Sequence, residues 1–245
     1  MSKKIILWKY KIYTTTPWID FFAQNYKDIE AWEKTYDHKI TIKSEPYVMV
    51  KRNIALLPLP QSMDEFKKGK KMQAFRTNYN KALKKRYSTG WFDASQYYDD
   101  IMEINCSSVS RCGRVMDEFY TDCDAVKSFI ESKPQMWGCF DYNGKLVAYI
   151  EFLSGGKLVT INQILGHSQF LADGIMYYLL GNLIQFVIDS GELITHFMYG
   201  SFYTGENSAG VFYYKQRMGF IAYNVRYNIP SRGCIDSCND NLLAE

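Results

Sequence analysis

The strongest constraint on the fold is a run of short strand patterns that ends abruptly in one long apolar helix pattern. The strands are predicted at residues 135–141, 145–153 and 157–165. Asn143-Gly144 and Gly155-Gly156 separate them, and two-residue turns of this kind join neighbouring strands as hairpins. The sequence therefore predicts three consecutive antiparallel strands in the second half of this 245-residue chain.

A crossover is predicted directly after the third strand. Asp173 can cap a helix over residues 174–190, Gly191 ends that helix, and residues 193–199 have the pattern of another strand. Two strands joined through a helix run parallel, so the sheet is expected to be mixed. The C-terminal part is completed by a helix and a strand, at 209–217 and 220–229.

The N-terminal half carries weaker patterns. We expect a strand at 5–13, a helix from Pro17 to about Lys34, and extended chain over 41–57. Pro58 and Pro60 then interrupt regular structure. Three helices follow. The first runs from Ser62 to about Tyr87 and is ended by Gly90, and the other two lie at 93–105 and 117–132.

These patterns divide the chain into four segments. Residues 1–60 are predicted to be an N-terminal extension packed on the core, and residues 61–92 a basic helix. Residues 93–230 form the predicted core domain, and residues 231–245 a polar tail. The expected fold class is α/β (α+β), with a mixed, mostly antiparallel twisted sheet and flanking helices.

The charge is concentrated in one stretch of the chain. The formal net charge is only +3, but residues 64–90 carry nine cations against Asp64 and Glu65. A cationic helix of this kind is explained equally by a solvated face and by contact with phosphates. The phosphates would belong to a donor such as CoA, to a tRNA or to DNA, and contact with a membrane surface is a further alternative.

Cysteine usage and hydropathy indicate the compartment. The six cysteines form no CxxC pair and only three histidines are present, so we expect reduced thiols and no metal site. The N-terminal apolar run is too short for a signal peptide. The longest apolar stretch, 175–188, has 14 residues, whereas a bilayer span needs about 20. The sequence therefore predicts a cytoplasmic protein without a transmembrane segment, and it does not predict the oligomeric state.

The predicted crossover also indicates where a ligand would bind. If the parallel strands 157–165 and 193–199 splay, the exposed edge can pair with the amide chain of a ligand. The helix that starts beside the gap presents free N–H groups, which favour phosphate.

Two motifs carry a resemblance to a known family. Gln73 to Ala82, which follows Leu57-Pro58-Leu59-Pro60, is similar to a basic helix of the type R-x-N-x-x-K-A. Phe212 to Phe220 is similar to a late F-K-x-x-F-G run. With the element order of residues 93–229, these motifs resemble the GNAT acyltransferase superfamily, and within it the FemAB-like branch.

The resemblance implies a GNAT-like fold and an acyl donor at the gap. The donor loop of GNAT enzymes reads R/Q-x-x-G-x-G/A, whereas this chain has Gly166 to Gly174 there and only Gly174 fits. Asp173 is expected to occupy the amides that an anion would need. The donor is therefore acyl-CoA or, as in FemAB-like proteins, aminoacyl-tRNA. The residues predicted to bind the donor are Leu165, Gly166, His167, Gly174 and Lys215, with Arg76, Asn80, Lys81, Ser201 and Tyr203 as substrate or phosphate contacts.

Acyl transfer to an amine needs a proton acceptor, oxyanion donors and an acid for the leaving group. Glu151 and Asn162 lie on the strands that flank the gap, although a carboxylate at such a position is more often solvated or paired than a general base, and Asn162 is also explained as the cap of an edge. Tyr213 and Tyr214 are candidate acids or core residues, and Lys215 a phosphate ligand or a surface charge. His167 is the histidine best placed to titrate near neutral pH.

The sequence predicts an acyl- or aminoacyl-transferase that moves the acyl group to an amine by direct attack. No cysteine or serine lies in a nucleophile motif, which favours attack without a covalent enzyme intermediate. The alternative is a non-catalytic or nucleic-acid-directed protein that keeps this fold and binds RNA or DNA through residues 64–90.

Overall fold

The computed structural model of the chain describes residues 16–111, 114–132, 134–203, 209–232 and 234–235. The predicted strand at 5–13 lies outside these residues, as does most of the predicted tail. The strands are β1 (Trp18–Phe22), β2 (Tyr47–Pro58), β3 (Ser88–Trp91), β4 (Ser110–Arg111), β5 (Arg114–Val115), β6 (Met136–Phe140), β7 (Leu146–Gly155), β8 (Leu158–Gly166), β9 (His196–Ser201) and β10 (Ile221–Ile229). The α-helices are α1 (Tyr26–Tyr36), α2 (Met63–Phe66), α3 (Gln73–Lys84), α4 (Tyr98–Cys106), α5 (Glu118–Thr121), α6 (Cys123–Glu131), α7 (Ile175–Ser190) and α8 (Ala209–Arg217).

Eight of these strands form one mixed sheet, in the order β1-β10-β2-β9-β8-β7-β6-β3. β1 runs parallel to β10 and β8 parallel to β9, and the other neighbours are antiparallel. The predicted fold class is confirmed, as are the three antiparallel strands β6 to β8 and the parallel crossover through α7. Because β2 lies between β10 and β9, the first 60 residues contribute one strand to the interior of this sheet, and β1 to its edge.

Helices cover the two faces of the sheet. On one face α3 and α7 pack over the central strands, with Phe75, Leu180 and Ile150 in a common core. On the other face α1 covers β2, β9 and β10 through Trp32, while α4 and α6 cover β6 to β8. The second face is therefore covered by two separate helical groups, and the sheet between them supplies the floor of a cavity.

The helix predicted from Pro17 is wrong in its first part. Residues Trp18–Phe22 form β1, which pairs in parallel with β10 from the far end of the chain. The helix begins after Asn25, whose side-chain oxygen accepts a hydrogen bond from the Asp28 amide at 3.1 Å. Local sequence cannot reveal such a pairing, because the partner strand lies about 200 residues away.

The single basic helix predicted from Ser62 to Tyr87 is interrupted. Ser62 caps α2 as expected and accepts a hydrogen bond from the Glu65 amide at 3.2 Å. The chain then turns at Gly69, which has a φ of 84°, and α3 starts at Gln73. Arg76 bridges the break by donating hydrogen bonds to the carbonyls of Lys67 and Gly69.

Two further boundaries differ from the prediction. Gly90 does not end a helix but lies within β3, an edge strand that pairs with β6 and is absent from the predicted elements. The helix expected at 117–132 is split into α5 and α6, because Asp122 caps the second one. No helix within the described ranges is both long enough and apolar enough to cross a membrane.

Candidate functional site

The parallel strands β8 and β9 separate soon after they meet. They pair only at Leu158–His196, Val159–Phe197 and Thr160–Met198. Beyond that point β8 continues to Gly166 beside β7, while β9 continues to Ser201 without pairing to β8. The predicted divergence is therefore confirmed, and it opens a gap near the middle of the sheet.

A β-bulge accompanies the divergence. Glu151 pairs with Gln163 and Phe152 pairs with Ile161, so that Asn162 is an extra residue on β8. A bulge increases local twist and redirects the strand that carries it. The bulge therefore gives a local reason for β8 to turn away from β9, and it points the Asn162 side chain into the site.

Two cavities adjoin these diverging strands. Cavity A has a volume of about 840 Å³ and lies between α1 and α6; its lining includes Lys34, Gln135, Glu151, Asn162, Gln163 and Ser201. Cavity B has a volume of about 410 Å³ and lies between the end of β8, the start of α7 and α8; its lining includes Arg111, Gly166, Met176, Tyr177, Tyr199 and Tyr214. Both cavities use residues of β8 and β9, so the gap lies between them.

Glu151 is a buried carboxylate on the floor of cavity A. Only 7% of the residue is exposed, and Asn162 Nδ2 donates a hydrogen bond to Glu151 Oε1 at 3.0 Å. Burial raises the pKa of the Glu151 carboxyl, although the hydrogen bond from Asn162 and the charge of Lys34 partly offset this effect. A solvated surface carboxylate is thus excluded, and a carboxylate with a raised pKa inside a cavity is suited to accept a proton.

The two candidate tyrosines of α8 lie in different surroundings. Tyr214 lines cavity B, and its hydroxyl donates a hydrogen bond to the Met176 carbonyl at 2.9 Å. Burial raises the pKa of Tyr214 well above its usual value, so the group keeps its proton at neutral pH. Tyr213 is 56% exposed and is not among the described residues that line either cavity. The structure therefore brings Tyr214 to the gap and leaves Tyr213 outside it.

Lys215 is buried and joins α8 to the end of β9. Its ammonium donates a hydrogen bond to the Ser201 carbonyl at 2.7 Å and lies 4.3 Å from the centre of the Tyr199 ring. With only 3% of the residue exposed, it is not a surface charge. The Tyr203 carbonyl accepts a hydrogen bond from Asn53 at 2.8 Å. Ser201 lines cavity A, whereas the loop residues 204–208 lie outside the described residues.

The segment from β8 to α7 carries the other predicted donor contacts. Leu165 is buried in the core beneath α4 and α6 rather than in cavity B. Gly166 lines cavity B, and its carbonyl accepts a hydrogen bond from Arg111 at 2.8 Å. His167 accepts a hydrogen bond at Nδ1 from the Gln169 amide, and its Nε2 lies 3.3 Å from Glu103. Gly174 stands at the start of α7 with a φ of 84°.

Asp173 does not cap α7, contrary to the prediction. Its carboxylate accepts hydrogen bonds from Lys85 at 2.6 Å and from the Tyr87 hydroxyl at 2.9 Å. Burial raises the pKa of Asp173, but these hydrogen bonds outweigh it and the net pKa is lowered. No side chain caps α7, and its N-cap residue is Gly174. The expectation that Asp173 blocks an anion at these amides is therefore wrong.

The basic residues of α3 hold this same segment in place. Lys81 donates a hydrogen bond to the Ala172 carbonyl, and Arg76 is engaged at the break between α2 and α3. Asn80 is exposed. None of these three residues is among the described residues that line cavity A or B. Other cations of this region are exposed, and their side chains form no hydrogen bond or ion pair with the described residues. They are Lys68, Lys70, Lys71, Lys84 and Arg86.

Sequence reasoning missed two cations at the site. Arg111 lines cavity B and joins the end of β8 to α4 through the Gly166 carbonyl and, at 3.0 Å, the Ser107 hydroxyl. Lys34 lines cavity A from the last turn of α1. Both stand in segments without a motif, and only the packing of distant elements brings them to the gap. Within the described residues, no group of three His, Cys, Asp or Glu side chains is arranged to hold a metal ion.

Comparison with known proteins shows similarity of structure only. No protein-family model matches the sequence, and no curated protein matches it. Among solved structures, L-PGS from Bacillus licheniformis has a TM-score of 0.50 and 14% identity over 80% of this chain and 66% of that chain. FemX has a TM-score of 0.55 and 9% identity over 73% of this chain and 65% of that chain. A tandem GNAT protein of the clavulanic acid pathway has a TM-score of 0.45 and 11% identity over 76% of this chain and 53% of that chain.

The similarities to L-PGS and FemX show that this chain shares their fold. The chain spans about two thirds of the length of L-PGS and of FemX, and about half of the tandem GNAT protein. At such identities the likeness concerns the fold and not the reaction.

Proposed function

We propose that this protein is an acyl- or aminoacyl-transferase that moves an acyl group to an amine by direct attack. The observation that carries the proposal is the separation of β8 and β9 with a cavity on each side of the gap. A two-substrate transfer needs two binding spaces that meet at one reacting carbon. Cavity B is assigned to the acyl donor and cavity A to the amine.

The donor is assigned to cavity B because of its lining and its surroundings. Its walls are largely apolar, with the backbone of Gly166 at the end of β8 that does not pair with β9. The start of α7 lies beside it, and Asp173 is held away by Lys85 and Tyr87. Helix N–H groups at such a position favour phosphate, so a CoA thioester fits this arrangement.

The transfer can be written with groups that the structure supplies. The amine nitrogen attacks the donor carbonyl carbon, and Glu151 accepts the proton that the nitrogen loses. The tetrahedral intermediate collapses, the carbon–sulfur or carbon–oxygen bond breaks, and the leaving group takes a proton from Tyr214. The raised pKa of Glu151 suits a base at the floor of cavity A, and the raised pKa of Tyr214 means that its hydroxyl still carries the proton when the leaving group departs.

Binding of acyl-CoA tests the donor assignment. Acetyl-CoA and longer acyl-CoAs at about 100-fold above Kd should stabilise the protein by about 2.7 kcal/mol in a thermal unfolding assay. Gly210→Phe adds a ring beside cavity B, where a Cβ meets open space, and it should abolish the stabilisation. No stabilisation by any acyl-CoA would refute the CoA form of the proposal.

Aminoacyl-tRNA is the second donor to be tested, in keeping with the resemblance to FemAB-like enzymes and the structural likeness to FemX. The exposed cations Lys70, Lys71 and Lys84 are the residues proposed to contact its phosphates. A gel-shift assay with tRNA and with duplex DNA should lose complex formation when these three are changed to alanine. The matched control changes three exposed lysines outside this region, Lys27, Lys39 and Lys127, to alanine and so removes the same charge. Binding of DNA and tRNA alike, without transfer, would favour the nucleic-acid-directed alternative.

A further inference from the structure

Cavity A contains one cation and one anion. Of the described residues that line it, only Lys34 and Glu151 carry charge. Glu151 lies on the floor, in β7, and is buried, whereas Lys34 is exposed on the last turn of α1. The two charges thus lie at different depths of one cavity of about 840 Å³.

The two groups interact across space rather than in contact. Among the salt bridges of the described residues, none joins Lys34 to Glu151. The charge of Lys34 nevertheless lowers the pKa of the Glu151 carboxyl against the effect of burial. A ligand in the cavity can therefore lie between them, with a cationic group toward the floor and an anionic group toward the mouth.

The other described polar residues that line cavity A are uncharged, so none of them neutralises Lys34 or Glu151. The Ser132 hydroxyl donates a hydrogen bond to the Phe129 carbonyl, and the Thr35 hydroxyl donates one to the Ala31 carbonyl. Gln135 and Gln163 are neutral amides in the same lining. Lys34 is therefore the one described lining residue that can compensate a full negative charge on a ligand, and charge-assisted hydrogen bonds are about twice as strong as neutral ones.

We infer that the acceptor is a primary amine that also carries an anionic group, a carboxylate or a phosphate, which Lys34 binds while the amine lies against Glu151. This inference rests on the proposed function, since it assigns cavity A to the acceptor. Lys34 also stands where a cation favours the helix C-terminus, so the test needs a readout that this structural role does not change.

Ligand-observed NMR titration of the full chain without any donor provides this readout. The probes are 4-aminobutyrate and its neutral amide, which differ only in the anionic group, and 2-aminoethyl phosphate with ethanolamine. We expect each anionic amine to bind at least tenfold more tightly than its neutral counterpart. The pair that shows the larger preference for its anionic member distinguishes a carboxylate acceptor from a phosphate acceptor.

Three variants connect this preference to Lys34. Lys34→Ala should abolish it and Lys34→Glu should reverse it, whereas Lys27→Ala, on the same helix but not in the cavity lining, should leave it unchanged. Equal affinity for the anionic and neutral amines, absence of binding, or a preference that survives Lys34→Ala would overturn the inference. Because no donor is present, a clear preference without any transfer activity would refute the proposed reaction alone.

Discussion

Glu151 determines the expected pH dependence of the transfer. A base must be ionised to accept a proton, and burial raises the pKa of this carboxyl. The rate should therefore fall as the pH decreases through that raised pKa. Glu151→Gln keeps the acceptor oxygen for Asn162 but removes the base, so kcat/KM should drop by about 10² to 10⁴-fold. The fall of the rate at acidic pH should also be absent in Glu151→Gln. Measurement of kcat/KM against pH for the wild type and the variant tests this.

Stability provides the control for this substitution. The folded-state pKa of Glu151 is raised, so ionisation weakens the folded wild type as the pH rises through that pKa. Glutamine has no proton to lose, and the variant should be more stable than the wild type at neutral pH. The difference should shrink as the pH is lowered. Urea unfolding at several pH values measures it, and a variant that is less stable at every pH would argue for a structural carboxylate.

Part of the candidate site is accessible from the sequence, although the catalytic roles of its residues stay predictions. Glu151, Asn162 and Tyr214 lie on elements with clear local patterns, and the structure places all three at the gap. The prediction that Asp173 caps α7 is wrong because its partners, Lys85 and Tyr87, lie 88 and 86 residues away in the chain. A residue can be located from its own element, whereas its hydrogen-bond partner depends on how distant elements pack.

Gly174 permits a close backbone contact between the start of α7 and α3. Gly174 has a φ of 84°, and a Cβ there would clash with the Asn78 carbonyl of α3. Gly174→Ala combines strained backbone with a clash against backbone, which cannot move aside cheaply. We expect the free energy of unfolding to fall by about 3 kcal/mol or more, measured by urea denaturation.

Gly191, at the other end of α7, is the matched control. Its φ is 67°, but a Cβ there meets no atom within 4 Å. Gly191→Ala therefore introduces only the left-handed backbone strain, about 1 kcal/mol. Equal losses at the two positions would show that the approach of α3 to α7 is looser than the structure indicates.

Elements with local signals were predictable and those without them were not. The turns at Asn143-Gly144 and Gly155-Gly156 identified β6 to β8, and Gly191 marked the end of α7. The strands β1 and β3 were missed, because each is an edge strand defined by a partner distant in the chain. The break at Gly69 was also missed, since a glycine inside a helical pattern does not by itself end a helix.

The chain shares its fold with solved structures whose sequences differ greatly from its own. The chain shares 14% identity with L-PGS and 9% with FemX over most of its length. Element order alone was enough to predict a GNAT-like mixed sheet, because few topologies accommodate three antiparallel strands followed by a parallel crossover. Cavity A could not be foreseen, since α1 and α6 form its walls from two distant segments.

The arrangement of the two cavities determines the kinetic order of the reaction. Donor and acceptor are assigned to different cavities that meet at one gap, and no cysteine or histidine is among the described residues that line either of them. Direct attack requires both substrates to be bound together, so double-reciprocal plots at several acceptor concentrations should intersect. A covalent acyl-enzyme would instead give parallel lines, with release of the donor's leaving group before the acceptor is added. Initial-rate measurements with the donor that stabilises the protein distinguish the two, and parallel lines would show that a nucleophile of the chain takes the acyl group first.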